Sequence, residues 1–254
     1  MPFALASILG ANFGSMLLPT SNLTNLVLWR TSGISFRLFA SQLIVVFAVV
    51  TTITAGALLV ASRRTLRPVR SAATRQHFSD PRLAAASAAA IAALTVGFLL
   101  GVPVAPAALV AGLALLSLRQ ALWTARLHPA LIVGVLALFG GAALLQHSLD
   151  VTGRLAGVTP LGLAAGAAVL SNVGSNLTAV VLLEPAAGSE VLAKALLIGA
   201  NLGVGLTPIG SLATILWRDA IRSHGTKVPW RPYFALAVPL SALFVVLTPL
   251  LARA

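Results

Sequence analysis

The sequence predicts an all-α polytopic membrane protein with two discontinuous helices and a re-entrant hairpin. Three observations carry that prediction. The chain of 254 residues is 58% hydrophobic and only 9% charged, with a mean hydropathy of +0.98, whereas about a quarter of residues are charged in a soluble domain. Residues 200–218, ANLGVGLTPIGSLATILWR, form an apolar run broken in its middle by Gly203, Gly205 and Pro208. Interior glycine costs a helix about 1 kcal/mol and interior proline about 3, so the run reads as two half-helices around an unwound segment. Unwound backbone survives inside a bilayer only where protein or a water-filled cavity satisfies its amides. The same phrase returns near the start: in residues 11–30, ANFGSMLLPTSNLTNLVLWR, Asn12, Gly14 and Pro19 fall on Asn201, Gly203 and Pro208.

Length allows seven to nine spans of about 20 residues each. Residues 1–18 are apolar from the start, without the basic leader of a signal peptide, and read as the first half-helix, with the break over 19–25. A long span follows at 35–60. Residues 62–82 carry Arg63, Arg64, Arg67, Arg70, Arg75 and Arg82 against Asp80 alone, which marks a cytoplasmic loop by the positive-inside rule. Residues 83–101 and 105–118 pair around Pro103 and return to Arg119 and Arg126 on the same side. Residues 130–145 cross again to His147, Asp150 and Arg154.

Residues 159–183 have two short apolar arms around a polar tip, SNVGSN at 171–176. Each arm is too short for about 30 Å of hydrocarbon, so the segment reads as a hairpin that dips in and returns. Residues 191–217 then cross inward to Arg218, Arg222, Lys227 and Arg231, and 233–251 cross outward. The four tryptophans Trp29, Trp123, Trp217 and Trp230 sit at segment ends beside basic residues, as interfacial anchors do. The layout is therefore residues 1–33 as the discontinuous helix of a first repeat, 34–157 as scaffold helices, 158–229 as hairpin plus second discontinuous helix, and 230–254 as a last span.

On this topology the two broken helices run in opposite directions, the signature of an inverted-repeat transporter with a site near the bilayer midplane. The first repeat is incomplete, because a hairpin matching 171–176 would precede residue 1. Candidate substrate-binding residues are the polar groups at the breaks and the tip: Asn12, Ser21, Asn22, Asn25, Ser171, Asn172, Ser175, Asn176, Asn201, Thr207 and Ser211. Amides and hydroxyls both donate and accept, and half-helix N-termini add partial positive charge. Such a set suits a neutral or weakly charged oxyacid, an anion, or a cation held by carbonyl oxygens.

Several functions are disfavoured. The five acids Asp80, Asp150, Glu184, Glu190 and Asp219 all fall at span ends, so no carboxylate relay is visible at mid-depth. No GxxxxGK[ST] phosphate loop occurs and no cofactor is implied. The histidines lack ligand spacing and there is no cysteine, so no metal site is expected. The charge of +12 reads as loop topology in the lipid bilayer, not as a nucleic-acid surface.

Residues 3–27, FALASILGANFGSMLLPTSNLTNLV, 171–183, SNVGSNLTAVVLL, and 202–217, LGVGLTPIGSLATILW, resemble the arsenite efflux permeases of the ion transporter superfamily. That resemblance implies a non-enzymatic, multi-pass carrier of the plasma (inner) membrane that expels arsenite or antimonite, driven by the proton gradient or by a partner ATPase. A second copy in a homodimer is a further candidate partner. Members of that family are longer, with N-terminal helices and a first hairpin. Their hairpin usually has paired asparagines followed by proline, where Ser175, Asn176 and Leu177 stand here. Alternatives are a sodium-coupled dicarboxylate carrier or a sodium/proton carrier of the same superfamily, or a truncated or split-transporter fragment inactive alone.

Overall fold

The computed structural model describes residues 2–63, 81–118, 129–223 and 225–254. The basic stretch 62–82 lies mostly outside these, as do Arg119, Trp123, Arg126, His77, His128 and His224. Among the described residues every regular element is helical. Helix α1 spans Pro2–Phe13, and after a 3-10 turn at Pro19–Ser21 come α2 (Leu23–Ser32) and α3 (Phe36–Ser62). The middle holds α4 (Pro81–Leu99), α5 (Val104–Leu118), α6 (Pro129–Leu149) and the short α7 (Val151–Arg154). Then come α8 (Pro160–Gly174), α9 (Asn176–Leu183), a 3-10 turn at Glu184–Ala186 and α10 (Glu190–Leu202). A further 3-10 turn at Gly203–Leu206 leads to α11 (Leu212–Ser223), α12 (Trp230–Val246) and α13 (Thr248–Leu251).

Among the described residues two helices, Phe36–Ser62 and Pro81–Leu99, are long and apolar enough to cross a bilayer by themselves. Outward faces are apolar too: Leu109, Val110 and Leu113 on α5 and Leu136 and Leu144 on α6 are all exposed, as lipid-facing positions are. The core instead gathers around α10, whose residues from Lys194 to Leu202 are all buried. It packs against α8 most extensively, then against α12, α9, α13 and α2.

Close approach of α8 and α10 follows from small side chains. A β-carbon added at Gly199 would collide with the backbone of Ala164, and one at Gly203 with Ala168. Gly199 and Gly203 face Ala164 and Ala168 at matching four-residue spacing, so the two backbones approach without intervening side chains, as small residues permit in membrane interfaces.

Both apolar runs are interrupted, but the first differs from expectation. Helix α1 stops at Phe13, not at Leu18, and α2 begins at Leu23, so Leu23, Thr24 and Asn25 are helical and not part of the break. The reason is local: Asn22 caps α2 by accepting from Thr24 N at 3.4 Å. Asn25 Nδ2 then gathers the free carbonyls of Ser15, Met16 and Leu18 at 3.0 to 3.1 Å. The segment at 171–176 also differs, because Ser171 and Asn172 are helical residues of α8 and only Ser175 departs, at φ 108.

Candidate functional site

The two interrupted segments lie against each other in crossed order. Near the end of α1, Asn12 meets the start of α11, accepting from Ser211 Oγ at 2.7 Å and donating to Thr214 Oγ1 at 3.1 Å. Further back on α1, the Ala4 carbonyl accepts from Trp217 Nε1 at 2.8 Å. Residue 4 thus pairs with 217 and residue 12 with 211 and 214, so α1 and α11 run antiparallel. The other halves, α2 and α10, meet at Asn201.

Asn201 is 1% exposed and uses both ends of its amide. Its Oδ1 accepts from Thr24 Oγ1 at 2.7 Å, Asn22 Nδ2 at 3.2 Å and Asn176 Nδ2 at 3.3 Å. Its Nδ2 donates to Asn25 Oδ1 at 3.0 Å. One side chain therefore links α10 to α2 and to α9, the arm after Ser175.

Each interruption is held by an asparagine. Asn25 holds the first, as described above. Asn172 holds the second: its Nδ2 donates to the carbonyls of Gly203 at 2.6 Å and Ala168 at 2.8 Å, while its Oδ1 accepts from Thr207 N at 2.9 Å. Thr207 Oγ1 closes the loop on the Asn172 carbonyl at 3.1 Å. Ser171 Oγ donates to the Ala200 carbonyl at 3.3 Å, and Asn176 N to the Gly210 carbonyl at 3.0 Å. Gly205 N donates to Ser241 Oγ of α12 at 3.1 Å. Gly203, Gly205, Thr207 and Gly210 lie in the stretch between α10 and α11, and buried backbone groups left there without partners would each cost about 1–3 kcal/mol.

A cavity of about 440 Å³ opens beside this network. Asn12, Ser15, Ser21, Asn22, Ser175, Asn176 and Ser211 supply its polar wall, and the apolar wall includes Leu138 of α6. The first residues of three helices also line it: Leu23 of α2, Asn176 and Leu177 of α9, and Leu212 and Ala213 of α11. Each carries a polar cap, with Asn22, Ser175 and Ser211 accepting from Thr24 N, Thr178 N and Thr214 N. A helix N-terminus acts as about half a positive charge. Among the described residues none that lines it is ionisable, so three dipoles and neutral donors set the potential there.

The eleven residues singled out in the sequence thus divide in two. Asn12, Ser21, Asn22, Ser175, Asn176 and Ser211 line the cavity, whereas Asn25, Ser171, Asn172, Asn201 and Thr207 stand behind it as supports. Sequence reasoning missed Ser15 and Thr214. Ser15 follows Gly14 in the first break and accepts from Asn22 Nδ2 at 3.3 Å; its place before Pro19 was the available signal. It also missed Lys194 of α10, buried and paired with Glu190 at 2.9 Å. Among the described residues no three His, Cys, Asp or Glu side chains group as metal ligands.

Comparison with known proteins gives a consistent picture. A family model described as citrate transporter matches residues 1–199. The arsenical pump membrane protein of Escherichia coli strain K12 is 28% identical over 100% of this chain and 67% of its own length. That of Yersinia enterocolitica is 27% identical over the same shares, and another Escherichia coli protein of that name 26% identical over 98% and 67%. The chain therefore spans about two thirds of the length of these curated relatives. No solved structure matches.

Proposed function

Because the chain belongs to the citrate transporter family, we propose that it holds the substrate site of a membrane carrier for a small oxyacid, arsenite or antimonite, moved by alternating access. The observation that carries this reading is the cavity, walled by neutral amides and hydroxyls at the N-termini of three half-helices. Arsenious acid is mostly uncharged at neutral pH and offers three hydroxyls, which match groups that both donate and accept. The name shared by the curated relatives points the same way. The crossed pairing of α1 with α11 and of α2 with α10 supports an inverted repeat, in which two antiparallel units rock around a shared site. On this reading the protein is a multi-pass component of the plasma membrane and not an enzyme.

A second reading has specific support. A volume of about 440 Å³ lies in the range of small-molecule pockets, and three helix N-termini favour a carboxylate. The description of the matching family names citrate. Against it stands the lack, among the described residues, of a cationic side chain on the cavity wall, which a di- or trianion would require for full compensation.

The test is transport. Cells deprived of their own arsenite carriers, expressing this chain in its native gene context, are expected to retain less arsenic than control cells. Unchanged retention together with sodium-dependent citrate uptake would reject the oxyacid in favour of the carboxylate.

A further inference from the structure

Away from the cavity, a second hollow of about 380 Å³ lies between α2, α3 and the start of α10, with Thr31, Ser32, Gln42, Glu184 and Glu190 on its walls. Its floor continues into a small void that reaches Lys194, among Leu28, Phe39, Leu43 and Leu197. The Lys194 side chain is only 8% exposed, and its ammonium lies 2.9 Å from a carboxylate oxygen of Glu190, whose side chain is 52% exposed. One partner of the ion pair is thus buried in apolar surroundings while the other faces the hollow. Two turns further along α10, about 10 Å of rise, the same helical face carries Asn201.

We propose that Glu190 and Lys194 form a proton-exchange site at the floor of this hollow, coupled through α10 to the polar network at Asn201. The proposal rests on the carrier reading above and adds to it the residues that sense the proton. With Glu190 ionised the pair is neutral and the buried ammonium is compensated. A proton arriving from water converts the Glu190 carboxylate to a carboxylic acid and leaves one uncompensated positive charge among leucines. A buried charge left without its partner is unfavourable, so that state persists only if Lys194 passes a proton on to water or α10 shifts to expose it. Because Asn201 binds Thr24, Asn22, Asn25 and Asn176, a shift of α10 moves groups on both sides of the cavity.

Among the described residues, one further ionisable group lines the hollow. Glu184, from the neighbouring 3-10 turn, is the other carboxylate on the hollow. From α2 and α3 the walls receive only the neutral Thr31, Ser32 and Gln42 as polar groups. Arg30, Arg37 and Arg231, on α2, α3 and α12, line neither the hollow nor the void beneath it. Helices α1, α8, α9 and α13 carry no ionisable side chain.

Two measurements on the full chain test the proposal. In membrane vesicles, Glu190→Gln and Lys194→Met are expected to cut arsenite accumulation driven by a pH gradient at least about tenfold. Arsenite exchange at equal pH should stay within about twofold of wild type, and Lys194→Arg should retain gradient-driven accumulation. Accumulation unchanged in both neutral variants, or exchange falling in parallel with it, would overturn the proposal. Independently of any transport, Glu190→Gln, which mimics the protonated carboxyl, is expected to lower the melting temperature of the purified chain, and the Glu190→Gln/Lys194→Met double variant to recover at least part of the loss. A single variant that melts with wild type would reject the proton site even if the carrier reading itself fails.

Discussion

Asn201 Nδ2 donates to Asn25 Oδ1 at 3.0 Å, joining two helices that lie 176 positions apart in sequence. The bond joins the supports of two interrupted helices. Asn25 holds the open carbonyls of the first break, and Asn201 sits at the last turn before the second. A carrier needs unwound backbone to offer polar groups to a substrate, yet that backbone must keep one shape between transport steps. Side chains that substitute for missing helical bonds meet both requirements.

Asn201→Ala should therefore be costly. Truncation leaves the Thr24 hydroxyl, the amide hydrogens of Asn22 and Asn176 and the Asn25 oxygen without their partner, all at buried or half-buried positions. We expect roughly 2–4 kcal/mol of destabilisation and loss of transport, with membrane insertion retained. Thermal unfolding of the detergent-solubilised variant checks the first, and arsenic retention in expressing cells the second.

Asn172→Ala removes the clamp on the second break. Thr207 N and the Gly203 carbonyl lose partners at 2.9 and 2.6 Å. Transport is expected to fall at least about tenfold, equivalent to 1.4 kcal/mol or more in the transition state. Backbone exchange should rise around residues 203–211, which hydrogen–deuterium exchange read by mass spectrometry would reveal; protection equal to wild type would show that other groups hold this loop.

Ser175 separates strain from capping. Its φ of 108 lies where a side chain is disfavoured and glycine is free, while its Oγ caps α9 through Thr178 N. Ser175→Gly relieves the first and loses the second, so it should be close to neutral in stability. Ser175→Ala keeps the strain and loses the cap, and should melt lower by an amount equivalent to about 1 kcal/mol. Equal melting temperatures would contradict this account.

Gly199→Leu tests the contact between α8 and α10. A side chain there meets the Ala164 backbone, which cannot move aside as a flexible side chain could. Overpacking of this kind costs about 1–3 kcal/mol or more. The expected result is loss of the monodisperse peak in size-exclusion chromatography, with Gly199→Ala intermediate.

The interruptions were legible because proline and glycine inside an apolar run have a local cost that no neighbour is needed to read. Gly203, Gly205 and Pro208 mark the second one directly. Their limits were less legible, since the first break starts after Phe13 only because Asn25, folded back from α2, captures carbonyls that would otherwise continue the helix. The division of labour at the site was hidden for the same reason. Asn12 and Asn201 occupy equivalent places in the two matching phrases, yet Asn12 lines the cavity and Asn201 stands behind it, a difference fixed by which helices pack alongside. Nothing in the sequence sets Lys194 apart, because burial is a tertiary property, and Gly203 reads there as a helix breaker without its packing role beside Gly199.

The central claim is that the cavity beside Asn12 and Ser211 binds the substrate, and equilibrium binding of arsenite to the purified chain tests it most directly. Asn12→Ala and Ser211→Ala each remove a polar group from the cavity wall, and the account predicts affinity weaker by about three- to tenfold in each, with folding retained. Binding as tight as that of the unmodified chain in both variants would contradict it.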